Sequence, residues 1–177
     1  MKYPTIILFS FLSICSWLSF NTPSEQRNPL YGKVFREIHE IAELKSYRYS
    51  SGAIVETDKK ANGDYRFAAG YFTNDNNGLC ILEELLPDDE KGKGMVKYKI
   101  LDTINIQKLQ PDQQLSLCNC KLGDKPNSEI IAISQVDETK EYFDKIVKAW
   151  RIDTKTQKIV PLKDKKGISC LNEGYGI

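Results

Sequence analysis

The chain has one histidine, His39. No second imidazole exists to share a metal or a proton relay with it. G-x-S-x-G, H-E-x-x-H, Walker A and G-x-G-x-x-G motifs are all absent, so no zincin, nucleotide-loop or nucleophile-elbow chemistry is signalled. Strong charge of either sign is missing too. The formal net charge is +1, and it falls to zero if Lys2 is removed with a leader. A nucleic-acid binder would show a basic excess or stripe. Here acids and bases are interspersed, and the only dense basic run, Lys163 to Lys166 around Asp164, reads as a solvated loop. No internal repeat is present.

What is there begins with Lys2 and an uncharged run from Thr5 to Phe20. One basic residue before a short apolar core is the pattern of a secretory signal peptide, and the run is shorter than the roughly 18 residues of a spanning helix. The expected organisation is a signal peptide over 1–22, a flexible leader over 23–30 and one globular domain over 31–177. About 155 residues remain after the leader, enough to bury a core. The expected location is periplasmic or extracellular.

Export makes disulfides the first reading of Cys80, Cys118, Cys120 and Cys170. If Cys118 and Cys120 lie in a strand, their Cα atoms are about 6.7 Å apart, at the edge of disulfide geometry. Two bonds are therefore expected, each joining one of Cys118 and Cys120 to one of Cys80 and Cys170, in an order left open. A four-thiolate zinc site or a Cu(I) site on the C-x-C pair is the competing reading. No cofactor or metal is expected.

Between Lys33 and Lys45, the residues Val34, Phe35, Ile38, Ile41, Ala42 and Leu44 recur at helical spacing. This predicts an amphipathic helix bearing His39 on its surface. Extended runs follow: Tyr47–Tyr49, Ala53–Thr57, Tyr65–Thr73, Leu79–Leu86, Val96–Ile106, Ile130–Val136, Ile146–Ile152, Lys158–Leu162 and Ile168–Leu171. Polar turns separate them at Asn62-Gly63 and at Asn74 to Gly78. Asp153 to Gln157 reads as a hairpin connection, and Trp150 as a core anchor. In the run from Val96 to Ile106, Asp102 is in phase with the apolar residues. A buried carboxylate is costly unless paired, so a bulge or strand break at Asp102-Thr103 is favoured over a carboxylate facing a pocket.

The fold class these patterns predict is α+β: one N-terminal helix on a mainly antiparallel sheet, with an all-β sandwich or barrel as the alternative. The function they predict is an exported, disulfide-stabilised binding or interaction module, monomeric and without catalytic activity. Its partner is an unspecified protein or small molecule, not nucleic acid and not membrane beyond the signal segment. Candidate pocket or binding residues are Asp102, His39, Tyr47, Tyr49, Tyr65 and Tyr71. The alternative is an exported hydrolase using Asp102, Glu83 or His39. Glu83 and Glu84 are adjacent and would point to opposite faces of a strand, which argues against a glycosidase carboxylate pair.

Overall fold

Residues 33–45 do not form the expected helix. Val34–Phe35 is a two-residue strand, β1. Two single 3-10 turns follow, Ile38–Glu40 and Ala42–Leu44, with Ile41 in extended conformation between them. The buried residues of this arm are Phe35, Ile38, Ile41 and Leu44, spaced by three. At about 100° per residue, three α-helical steps fall about 60° short of a full turn, so these four positions would spread around half a helix. A 3-10 turn closes in three residues and keeps them on one side. The period was three rather than 3.6, and that difference removes the α+β class.

A computed structural model describes residues 28–87 and 96–176. Of those, 56% lie in strands and 4% in helical turns, which makes the chain nearly all-β. The expected signal segment, most of the expected leader and most of the charged loop after Pro87 fall outside the described residues. The end of that leader, residues 28–30, is tied to the fold. Asn28 Nδ2 donates to Thr103 Oγ1 at 2.7 Å, and Leu30 is buried.

Three antiparallel sheets stack on one another. The first contains β1, β2 (Arg48–Lys59), β3 (Tyr65–Thr73), β4 (Asn77–Leu86) and β5 (Lys97–Gln107), in the order β1-β5-β4-β3-β2. The middle sheet contains β6 (Gln113–Leu117), β9 (Ile130–Gln135), β11 (Ile146–Asp153) and β12 (Lys158–Pro161), in the order β12-β11-β9-β6. The outer sheet is built from short strands: β7 (Cys120–Leu122), β8 (Lys125–Asn127), β10 (Tyr142–Phe143) and β13 (Ile168–Leu171), in the order β10-β13-β7-β8. Strands β6, β8 and β10 occupy stretches that read as turns or loops. Each is short or polar and is held by pairing with a neighbour rather than by its own periodicity.

Each layer boundary has its own apolar cluster, and strand alternation supplies both sides. Phe67, Tyr71, Cys80 and Leu82 meet Ile131, Ile133, Ile152 and Ile159 between the first and middle sheets. Ile130, Ala132 and Ala149 meet Ile168 and the Cys120–Cys170 pair between the middle and outer sheets. On the far face of the first sheet, Phe72, Leu79, Ile81 and Ile100 are covered by Leu30, Phe35, Ile38, Ile41 and Leu44 of the arm.

Two register shifts decide which layer a side chain joins. In β5, Leu82 opposes Asp102 but Glu83 opposes Ile100, so Leu101 is the extra residue of a bulge. Before it, Tyr98 and Ile100 face the arm. After it, Ile104 and Ile106 face the middle sheet. The bulge lies one position before the Asp102-Thr103 site expected. Asp102 is turned between the sheets, where its Oδ2 accepts the backbone N–H of Ile159 at 2.8 Å. In β11 a shift between Ile146 and Lys148 sends Ile146 to the outer cluster, while Trp150 packs on the inner one.

The cysteines follow the same layering. Cys120 and Cys170 are directly opposed on β7 and β13 and form a disulfide, with Cα atoms 3.9 Å apart. Cys80 and Cys118 carry free thiols, so one of the two expected bonds is present. The strand geometry assumed for Cys118-x-Cys120 is what fails. Cys118 has φ 58°, and this left-handed kink carries the chain from the middle to the outer sheet. Cys118 is left beside the inner core with Cys80, and Cys120 enters the outer one.

Candidate functional site

A cavity of about 640 Å³ opens between the N-terminal arm and the first sheet. Its floor is a patch of strand with small residues at Gly52, Gly70 and Ala68. Gly52 of β2 opposes Gly70 of β3, and Ile54 opposes Ala68. On the next strand Ala68 opposes Glu83. Glycine weakens a strand interior and often marks a close approach. At Gly70 an added Cβ would sit 2.7 Å from Phe72 and 2.8 Å from Glu83 Oε1, so no larger residue fits without displacing one of them.

The walls are aromatic. Tyr49 meets Phe72 edge-on at 5.8 Å between centroids. Phe72 meets Phe35 at 6.4 Å, and Phe35 meets Tyr98 at 5.5 Å. Tyr47, just before β2, completes the lining, and Arg36, Glu37, His39 and Arg48 add polar side chains. The backbone N–H of Arg36 donates to Glu40 Oε2 at 3.0 Å, which holds this part of the arm.

Glu83 is the polar centre. It is only 4% exposed, and its Oε1 has no hydrogen-bond partner among the described residues. Desolvation by burial pushes its carboxyl up to about 8, so at pH 7 it is mostly the neutral acid. The Tyr98 phenol is pushed up by burial first, then by Glu83, Tyr49 and Glu37. Glu84, one position on, instead meets Lys99 at 3.3 Å and Arg66 at 3.5 Å. The adjacent glutamates thus have separate environments, as strand alternation requires.

The expected site residues divide. His39, Tyr47 and Tyr49 line this cavity, together with Glu83. Asp102 is committed to the joint between sheets. Tyr71 is buried in the inner core, with its ring over Gly78. Tyr65 lies under Lys59 Nζ, 4.8 Å from the ring centroid. Phe35, Phe72, Tyr98 and Gly70 were missed as site residues. The run Ala68-Ala69-Gly70 inside an aromatic strand was the available signal. It becomes a cavity only when Gly52 and Glu83 are placed beside it.

The Asn74 to Gly78 turn is closed by its own side chain. Asn74 Oδ1 accepts from the backbone N–H groups of Asn76 and Asn77. Compared with known proteins, the chain matches no family model, no curated sequence and no solved structure. What the fold and site define is a three-layer, disulfide-bonded, antiparallel β protein with an aromatic cavity around one buried acid.

Proposed function

We propose that this protein is a binding module, and that its ligand is a small, mainly apolar molecule held between the N-terminal arm and the first sheet. The observation that carries this reading is Glu83. A buried carboxyl with an unpartnered oxygen costs about 1–3 kcal/mol, and the cost is borne at the floor of an apolar, aromatic cavity. Such a cavity with one oriented polar group is the usual form of a small-molecule site. Nothing in the lining supplies a matched nucleophile, base and oxyanion set, so binding is favoured over hydrolysis. Export of the protein belongs to the same proposal. The leader pattern and the Cys120–Cys170 disulfide both suit an oxidising compartment.

Titration with the neutral dye Nile red tests the reading. The wild-type protein should show a saturable fluorescence gain. Ala68→Leu, which places a larger side chain on the floor, should abolish it while leaving the circular dichroism spectrum unchanged. No saturable gain in the wild type, or an equal gain in both proteins, would refute the proposal.

A further inference from the structure

Resting on the binding reading of this cavity, we propose that its ligand is a primary amine on an aromatic or aliphatic body, with the ammonium paired to the Glu83 carboxylate. Three features converge on that chemistry. The first is Glu83 Oε1, buried and without a partner, on the floor. An ammonium brings three N–H donors and a charge, and charge-assisted hydrogen bonds are the strong ones. The second is the continuous aromatic wall of Tyr49, Phe72, Phe35 and Tyr98, with Tyr47 beside it. Ring faces attract a desolvated cation. The third is the small-residue floor: at Gly52 and Gly70 the missing Cβ lets Tyr49, Phe72 and Glu83 Oε1 lie against the backbone, and the cavity of about 640 Å³ beside them has room for the body of the ligand next to the acid. A hydrocarbon with no polar group would leave Glu83 as unsatisfied as before.

The charged and titratable groups around Glu83 come from every element that packs here. The arm supplies Arg36, Glu37 and His39, the entry to β2 supplies Tyr47, β2 supplies Arg48 and Tyr49, and β5 supplies Tyr98. Cys80 lies on the same strand, and its thiol is pushed up by burial, then by Cys118 and Glu83. In the empty site Glu83 is mostly protonated at pH 7. When an ammonium binds, the carboxyl proton leaves to solvent and the ammonium keeps its three. The association therefore releases close to one proton per ligand at pH 7, and affinity rises about tenfold per pH unit up to about 8. A ligand that only accepts a hydrogen bond from the neutral acid would behave oppositely and weaken above pH 8.

The test is calorimetric titration of the disulfide-bonded protein with 2-phenylethylamine and with its neutral counterpart 2-phenylethanol, in buffers of different ionisation enthalpy. The amine should bind about 10- to 100-fold more tightly than the alcohol, release close to one proton at pH 7, and tighten from pH 6 to pH 8. Glu83→Gln should abolish both the preference and the proton release. Equal affinities, no proton release, or binding that weakens above pH 8 overturn the amine assignment. If Nile red still binds saturably, those results leave the cavity reading intact. Failure of amine, alcohol and dye together overturns both.

Discussion

The two faces of the first sheet are made by the same strands and differ in almost everything else. Toward the middle sheet, Val55, Phe67, Leu82 and Leu101 are fully buried, and the carboxylate of Asp102 has a backbone partner. Toward the arm, three neighbouring floor positions are Gly52, Gly70 and Ala68, and the carboxyl of Glu83 has an oxygen with none. The first face is packed for stability. The second is packed under the arm at Ile81 and Ile100 but leaves a cavity and an unpartnered carboxyl oxygen at Glu83, the features on which the binding proposal rests.

The largest effect that separates the faces is a truncation on each. Phe67→Ala removes a fully buried ring and should cost about 3–5 kcal/mol in denaturant unfolding. Tyr49→Ala, at a residue 65% exposed on the other face, should stay within about 0.5 kcal/mol. Comparable losses would erase the contrast.

Next is the disulfide, which anchors the outer sheet rather than either face. Cys120 and Cys170 are 50 residues apart in sequence. In the chain-entropy model, that closure contributes up to about 4 kcal/mol. Reduction should lower the unfolding midpoint accordingly. Thiol titration of unreduced protein should find fully buried Cys80 only after denaturation and half-buried Cys118 slowly in the folded state, because burial pushes both thiols up.

The pH dependence of stability sharpens the comparison further. The Glu83 carboxyl is raised from 4.5 to about 8 in the folded protein. Its contribution is complete below pH 4.5, where both states are protonated. It declines as pH rises through about 8, because the unfolded chain ionises freely and the buried group does not. The loss should run at about 1.4 kcal/mol per pH unit between pH 4.5 and about 8 and level off above that. Glu83→Gln should remove that slope and be the more stable protein at pH 9. An unchanged slope would show that Glu83 is not the titrating group. The smallest effect belongs to the packed face. Asp102→Ala deletes the acceptor for Ile159 N–H and should cost about 1–2 kcal/mol, with no change in Nile red binding.

Much of this architecture could be read from residue order. Strand β3, the Asn-rich turns and the hairpin closed by Asp153 follow from alternation and from side chains that cap their own backbone. Asp153 Oδ1 accepts the N–H groups of Lys155 and Thr156. The arm misled because Phe35, Ile38, Ile41 and Leu44 resemble a helical stripe unless a period of three is tested against 3.6. Strands β8 and β10, of three and two residues, have too few positions to show any period.

By itself, the sequence determined the local properties: where the chain is extended, where it turns, and that Glu83 and Glu84 must part company on a strand. These depend on neighbours within a few residues. Only the tertiary structure decided the rest. One extra residue at Leu101 exchanges the faces of β5, and a left-handed Cys118 separates two cysteines that would otherwise point together. The cavity needs Gly52, Gly70 and Glu83 side by side from three different strands. Those outcomes depend on cross-strand register, which is set by the simultaneous burial of three layers and by no single segment of the chain.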